Sequence, residues 1–188
     1  MKSIMETSLK RIVHLLLLAA LSILTVNAKV ISYPAPKGET LSSDYMVEVD
    51  GVSVPVYMAK TQHHDKKYSI AYFDFSGTVT VKIKSKLSLD HLNILPDKYA
   101  IHPSVNKDIA TFHLNEPCDI SFEPDGCNSP LILFCNELET DIPSKNDPNV
   151  IYFGPGEHNP EKGLIRLGSN QTLYLACLLY TSDAADDK

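Results

Sequence analysis

Apolar and polar residues alternate over short stretches along much of the chain, a pattern typical of half-buried β-strands. In the run Thr78–Lys84, Val79, Val81 and Ile83 share one face, and threonines and lysines occupy the other. Similar runs recur at roughly 8–12-residue spacing with Gly, Pro and Asp turns between them, and no window after the N-terminal segment shows the 3.6-residue period of a helix. The sequence therefore predicts an all-β, immunoglobulin-like antiparallel sandwich over residues 29–143. The other runs are Tyr45–Met58, Tyr68–Phe75, His91–Leu95, Ile109–Leu114, Asp119–Phe122 and Leu131–Cys135.

One hairpin is specified by local turn chemistry. Asp50-Gly51 lies between two alternating runs, and this dipeptide tolerates the positive φ angles that a type I′ turn requires at both central positions. Pro55, in the second run, has no N–H to donate to a ladder. We therefore expect that strand to lie at a sheet edge or to carry a bulge.

The pattern changes near residue 141. Residues 141–149 are polar and contain two prolines, a composition typical of a domain junction. Three very short apolar runs follow, at Val150–Phe153, Gly163–Leu167 and Thr172–Leu175. Such short strands cannot bury a core alone, so residues 144–176 are predicted to be the first rungs of a stacked β-coil.

The N-terminal 28 residues have the organisation of an export signal. Lys2, Lys10 and Arg11 precede an apolar run of about 15 residues that ends near a small-residue cleavage site at Ala28. A membrane-spanning helix needs roughly 20 residues. We expect residues 1–28 to be cleaved, which leaves an exported periplasmic or extracellular bacterial protein with no stable membrane span.

Residues 177–187 match the translation of a transposase adapter used to make sequencing libraries. We expect residues 177–188 to be an adapter-derived artefact that is not part of the natural fold. The natural reading frame is then expected to continue beyond Ala176.

Composition narrows the class of protein further. The chain is 44% hydrophobic and 21% charged, which is ordinary for a globular protein and excludes a disordered one. Its formal net charge is −6, and its two arginines are Arg11 and Arg166. Nucleic-acid binding is excluded, because the chain lacks a basic stripe to neutralise phosphates.

Three cysteines lie between residues 29 and 176. If the last two strands pair with Phe122 opposite Leu131, Cys118 faces Cys135 and a cross-strand disulfide is geometrically allowed. The alternative is two buried thiols acting as small apolar side chains. We favour the thiols, because hairpin bulges commonly shift the register. Cys127, in the intervening turn, is expected to be exposed.

Two groups of residues resemble metal ligands. His63-His64-Asp65 lacks a third ligand nearby, and adjacent extended side chains point in opposite directions, so a solvated loop is favoured over a zinc site. The acidic residues around the last sandwich strands lack the spacing of an EF-hand calcium loop and are expected to be solvated. These residues are Glu116, Glu123, Asp125, Glu137, Glu139 and Asp141.

Seven aromatic residues could provide a platform on which sugar rings stack. The chain has no Trp, the residue that sugar-binding sandwiches commonly use, and alternation places many of these rings in the core, where aromatics contribute the largest buried area. A core role is therefore favoured. The residues are Tyr33, Tyr45, Tyr57, Tyr68, Tyr72, Phe73 and Phe75.

Two segments near the end of the chain resemble a known family. Segment 147–158 contains Val-Ile-Tyr-Phe-Gly-Pro-Gly-Glu-His, and segment Gly163–Ala176 contains Gln-Thr-Leu-Tyr-Leu-Ala. They resemble the entry into the right-handed parallel β-helix of secreted bacterial glycosidases similar to glycoside hydrolase family 28, the polygalacturonases, and to the family 49 dextranases. Four earlier motifs resemble the β-sandwich that precedes the helix in such enzymes: Tyr33–Pro36, Asp50-Gly51, Ala71–Gly77 and Pro130–Phe134.

The resemblance implies the accessory N-terminal portion of an exported polysaccharide-degrading glycoside hydrolase with a pectin lyase-like fold, acting on polygalacturonan or a related glycan. Members of these families hydrolyse the glycosidic bond with inversion of configuration and use two aspartates as general acid and base. Such chemistry needs the two carboxyl groups about 6.5–9.5 Å apart. Those aspartates lie downstream, with no matching position up to Ala176. We therefore assign no catalytic, cofactor-binding or metal-binding residue and expect the fragment to be inactive, with polysaccharide bound through the missing downstream domain.

Two alternatives remain open. One is a secreted carbohydrate-binding or adhesion β-sandwich without catalysis, since the sandwich region has enough residues to fold independently. The other is a lyase on the same β-helix, because architecture does not determine chemistry.

Overall fold

The computed structural model describes residues 28–35, 39–60, 67–154, 156–176 and 179–181. The predicted signal up to residue 27, the His63-His64-Asp65 motif and most of the predicted adapter segment lie outside the described residues.

Apart from two single 3₁₀ turns, Asp97–Tyr99 and Glu161–Gly163, the regular structure of the described residues is β-strand, which confirms the all-β prediction. The strands in chain order are β1 (Lys29–Ser32), β2 (Thr40–Leu41), β3 (Tyr45–Val49), β4 (Val52–Val54), β5 (Tyr57–Lys60), β6 (Lys67–Ser76), β7 (Val79–Ser85), β8 (Asn93–Leu95), β9 (Ser104–Asn106), β10 (Ile109–Leu114), β11 (Cys118–Cys127), β12 (Leu131–Glu137), β13 (Val150–Phe153), β14 (Gly156–His158), β15 (Thr172–Leu175) and β16 (Leu179–Thr181).

The first twelve strands form two sheets. A seven-stranded sheet has the order β2-β5-β6-β12-β11-β8, and β1 also pairs with β6. Its ladders are antiparallel except for that between β6 and β12, which is parallel. A five-stranded antiparallel sheet has the order β4-β3-β7-β10-β9. Each sheet thus contains strands from both halves of residues 29–137.

The hairpin around Asp50-Gly51 forms as predicted. Val49 pairs with Val52, and the φ angles of Asp50 and Gly51 are 46° and 83°, of the sign that a two-residue type I′ turn requires. Strand β4 lies at the edge of the five-stranded sheet, as expected from Pro55. After Pro55 the chain enters β5 of the other sheet.

The inward faces of the two sheets share one hydrophobic core. On β7, Val79, Val81 and Ile83 are buried as the alternation predicts. The Tyr45 ring of the five-stranded sheet meets the Phe122 ring of the seven-stranded sheet edge-on, with ring centroids 6.0 Å apart. Because these rings come from different sheets, their contact shows that the sheets face each other across the core.

Strand β11 is longer than the sequence predicts, although its register is as expected. Phe122 lies opposite Leu131 in the ladder with β12. The predicted run ends at Phe122, whereas the strand continues through Pro124 to Cys127. Pro124 follows Glu123, the last residue paired with β8, so the N–H that proline lacks is not needed by either ladder.

Two parallel ladders follow the sheets. Strand β13 pairs with β15, with Val150 opposite Thr172 and Phe153 opposite Leu175. Strand β14 pairs in the same sense with β16, which lies within the segment predicted to be adapter-derived. The strands predicted at 150–153 and 172–175 are confirmed.

The strand predicted over Gly163–Leu167 is wrong. Lys162 and Gly163 have φ angles of 58° and 65°, which turn the chain instead of extending it. Leu164 and Leu167 are 55% and 51% exposed. Ile165 between them is only half-buried. The apolar run therefore lacks the fully buried face that would stabilise a strand there.

Candidate functional site

The surface of the seven-stranded sheet opposite the core carries a cluster of aromatic and polar side chains. Alternate residues of β6 are buried in the core, so Tyr72 and Asp74 lie on the other side. The parallel register with β12 places Phe134 beside Tyr72 and Asn136 beside Asp74. We call the surface around these four residues the outer face.

Asp74 is a buried carboxylate on the outer face, with 3% of its surface exposed. Its Oδ2 accepts a hydrogen bond from the Tyr33 hydroxyl, and its Oδ1 accepts one from Asn136 Nδ2 at 3.3 Å. These donors offset the desolvation of the carboxylate, which is costly for a buried charge. Hydrogen bonding to Asp74 therefore joins the segment after β1 to both β6 and β12.

The same tyrosine completes an aromatic stack. The Tyr33 ring lies parallel to that of Tyr72, with centroids 5.3 Å apart and an interplanar angle of 17°. Aromatic surface next to a few oriented polar groups is the usual composition of a site for small organic ligands. The Tyr33–Tyr72 pair, with Asn136 nearby, thus has the composition of a surface on which a sugar ring could stack.

The seven aromatic residues for which a core role is favoured fall into two groups, one buried and one half-buried. Tyr45, Phe73 and Phe75 are buried there, which confirms the prediction for these three. The other four are half-buried: Tyr33, Tyr57, Tyr68 and Tyr72.

Sequence reasoning missed Asp74 and Asn136 as parts of this surface. The available signal was a carboxylate within the otherwise apolar run Tyr72–Phe75, where a buried charge requires partners. Those partners come from residues 33 and 136, and strand alternation does not reveal such distant pairings.

A second aromatic stack lies on the parallel ladder of β13 and β15. Tyr152 and Tyr174 are opposite each other, with ring centroids 4.9 Å apart and an interplanar angle of 27°. The Tyr174 hydroxyl donates a hydrogen bond to Glu139 Oε2 at 2.5 Å. Nearby, the Phe153 and His158 rings meet edge-on at 5.1 Å. The segment that follows β12 therefore contacts the ladder directly.

Cys118 and Cys135 lie where the sequence places them, whereas Cys127 is the last residue of β11 and not part of a turn. Cys118 is opposite Cys135, both thiols are buried and unbonded, and Cys127 is exposed. A hydrogen bond between the two buried thiols lowers the pKa of Cys118 and raises the pKa of Cys135, and burial raises the pKa of Cys135 further. The predicted register is confirmed.

The acidic residues near the last sandwich strands are solvated, as expected. Glu123 is half-buried and accepts a hydrogen bond from the Ser121 hydroxyl at 2.7 Å, and the other five are exposed. Within the described ranges, no three His, Cys, Asp or Glu side chains lie close enough together to hold a metal ion.

A cavity of about 470 Å³ lies beside β3 and β4. Its lining is largely apolar, with Pro34, Leu41, Met46 and Pro55 among the contributing residues, and includes no carboxylate. General acid and base catalysis of glycoside hydrolysis needs two carboxyl groups. This cavity therefore lacks the groups for that chemistry.

No protein-family model and no curated protein sequence matches the chain. Among solved structures, Dex49A from Penicillium minioluteum aligns with 80% of this chain at a TM-score of 0.55 and 16% sequence identity. The chain spans 44% of the length of Dex49A. At this identity the likeness concerns the fold alone, which is β-rich in both proteins.

Within the described residues, no helix has the length and apolar character needed to cross a bilayer.

Proposed function

We propose that this chain is the N-terminal portion of an exported polysaccharide-degrading glycoside hydrolase. It comprises an accessory β-sandwich over residues 29–143 and the start of a right-handed parallel β-helix over residues 144–176. The observation that carries the proposal is the parallel pairing of β13 with β15.

The pairing of Val150 with Thr172 means that the chain returns beside itself after 22 residues. Parallel neighbours require a crossover, which in most folds is an α-helix. Here the crossover contains β14 and a 3₁₀ turn. A return through strands and turns, with Tyr152 stacked on Tyr174, supports one coil of a β-solenoid, and the strong preference for right-handed crossovers supports its hand.

The pairing of β14 with β16 is not used to support this proposal. Strand β16 (Leu179–Thr181) lies in the segment that we propose to be adapter-derived, and its backbone continues the pairing of the coil without belonging to the natural protein. The proposal therefore rests on β13 and β15, which precede Ala176.

The two-sheet unit has the arrangement expected of an accessory domain. Its core is self-contained between the sheets, and Glu139, just beyond β12, binds Tyr174 of the coil. A cap of this kind covers the open end of a β-solenoid, which would otherwise expose apolar side chains and unpaired strand edges. We therefore propose a mainly structural role for the sandwich.

The likeness to Dex49A supports a glycan as the substrate class, since its name denotes a dextranase of glycoside hydrolase family 49. More than half of that chain has no counterpart here. We place the two catalytic carboxyl groups, which inversion requires at about 6.5–9.5 Å, in the part of the parent protein that follows residue 176.

The test is an activity assay on the full-length protein expressed from the parent gene. We expect new reducing ends from polygalacturonan, dextran or a related polymer, and none from residues 29–176 alone. Unsaturated, ultraviolet-absorbing products would show that the full-length protein is a lyase and not a hydrolase. A well-folded full-length protein that releases no product from a broad panel of polysaccharides would overturn the proposal.

The outer face supports a second candidate, a carbohydrate-binding sandwich. Its test is affinity electrophoresis of the chain in gels containing plant or microbial polysaccharides. If the outer face binds carbohydrate, the polysaccharide slows the migration of the wild-type chain, and Tyr72→Ala abolishes this retardation. Tyr68→Ala is the control and should keep it, because Tyr68 is also half-buried but lies outside the Tyr33–Tyr72 stack. Equal mobility with and without every polysaccharide excludes it.

A further inference from the structure

Cys118 and Cys135 occupy directly opposite positions on β11 and β12. Both contribute to the core, with 6% and 1% of their surfaces exposed. Directly opposite Cα atoms in an antiparallel ladder are about 4.5 or 5.5 Å apart, and disulfides usually have Cα separations of about 4.4–6.8 Å. The direct pairing of the two residues therefore places their Cα atoms at a separation that a disulfide can bridge.

The two thiols differ in their access to solvent. A cavity of about 310 Å³ is lined by Cys118 together with Tyr99, His113 and Glu116, whereas Cys135 does not contribute to its lining. An external reagent entering this cavity therefore reaches Cys118 before Cys135. Cys118 is also the thiol whose pKa the hydrogen bond with Cys135 lowers, and the thiolate is the reactive form of cysteine.

We propose that Cys118 and Cys135 are the site of a cross-strand disulfide, formed by exchange with an external disulfide such as oxidised glutathione or an oxidising thiol protein. The Cys118 thiolate attacks one sulfur of that disulfide, which forms a mixed disulfide and releases the first thiolate. Cys135 transfers its proton to the released external thiolate and attacks Cys118 Sγ, and the second external thiolate leaves and takes up a proton from solvent. Two protein thiols are oxidised to one disulfide, and the external disulfide is reduced to two thiols.

The cross-link would join two neighbouring strands in the middle of the seven-stranded sheet. It would restrict the unfolded chain, since it closes the loop between residues 118 and 135, and thereby stabilise the folded sheet. The exposed Cys127 lies within that loop. This inference does not depend on the proposed glycosidase function, and its failure would leave that function untouched.

The test begins with the purified chain, fully reduced and then incubated with oxidised glutathione. After acid quenching and denaturation, remaining thiols are alkylated and counted by intact mass, and linked peptides are mapped. We expect Cys118 and Cys135 to escape alkylation and to appear in one linked peptide pair. The midpoint of thermal unfolding should rise by about 5–10 °C and return on reduction.

Two variants separate this cross-link from other oxidation. Cys127→Ala should retain the linked pair and the thermal shift, whereas Cys118→Ser should lose both. Three results would each overturn the inference: both thiols remaining alkylatable in the oxidised wild-type chain, glutathione remaining bound to Cys118, or Cys118 linked to Cys127 or Cys177.

Discussion

Tyr152 and Tyr174 lie opposite each other on parallel strands, 22 residues apart along the chain, with their rings stacked at 4.9 Å. This relationship joins two successive passes of the chain. It also connects them to the preceding segment, because the Tyr174 hydroxyl binds Glu139.

The stack should be measurable as an energetic coupling. In a double-mutant cycle of Tyr152→Ala and Tyr174→Ala, we expect a coupling of about 0.5–1.5 kcal/mol in the free energy of unfolding, since stacked rings contribute about this much beyond area burial. Urea unfolding of the four proteins measures it. A parallel cycle of Tyr99→Ala with Tyr174→Ala should be additive, because Tyr99 lies in a separate 3₁₀ turn. Additivity in the first cycle would contradict the stack.

The two faces of the seven-stranded sheet should respond differently to the same substitution. Phe122 on β11 is fully buried, whereas Phe134 on the adjacent β12 is 38% exposed on the outer face. We expect Phe122→Ala to lower the free energy of unfolding by about 3–5 kcal/mol, because it removes a core ring and leaves a cavity. Phe134→Ala should cost about 1 kcal/mol or less. Similar losses in urea unfolding would refute the assignment of faces.

The hydrogen bond from Tyr33 to Asp74 should contribute to stability. Tyr33→Phe removes one of the donors to a buried carboxylate, and we expect it to lower the free energy of unfolding by about 1–3 kcal/mol. Tyr68→Phe is the matched control, since Tyr68 lies on the same face of β6 as Asp74, and it should change the free energy of unfolding by less than about 0.5 kcal/mol. Calorimetry or chemical denaturation can compare the two, and an equal, small effect would argue against this bond.

Tyr45 should give the protein a distinct alkaline pH dependence. Burial, with a smaller contribution from Asp44, raises its pKa above the ordinary value in the folded state. Tyr45 therefore ionises at a lower pH in the unfolded chain than in the folded protein. Its contribution to the free energy of unfolding is fully present below pH about 10 and is lost as the pH rises further. Above that pH, the free energy of unfolding of the wild type should fall by about 1.4 kcal/mol per pH unit more steeply than that of Tyr45→Phe.

Denaturation curves for the two proteins across this pH range measure the difference in slope. Tyr45→Phe also loses the hydrogen bond to the main-chain oxygen of Ser129, which should lower its stability by about 1 kcal/mol at neutral pH. Curves that stay parallel up to high pH would show that Tyr45 ionises equally in both states.

Features set by neighbouring residues could be predicted from the sequence. The alternation of β7 indicates which side chains are buried, and Asp50-Gly51 specifies its turn through positive φ angles. The facing of Cys118 and Cys135 was also predictable, because a hairpin register follows once one opposite pair is assumed. In each case the controlling interactions are close in sequence.

Features set by distant residues could not be predicted in this way. The outer face depends on Tyr33 reaching Asp74 and on β12 lying parallel to β6, and alternation contains no information about either pairing. The run Gly163–Leu167 shows the opposite failure. It is locally apolar, but the backbone turn at Lys162 and Gly163 and the lack of a packing surface prevent a strand.

The most direct test of the proposed parent enzyme is to sequence the parent genomic DNA across codon 176 with adapter sequence removed. We predict that the open reading frame continues with further short strands at a spacing of about 22 residues, as in the pairing of β13 with β15, and with clustered aspartates. An in-frame stop within a few codons of Ala176 would contradict the account, because no catalytic domain would then follow.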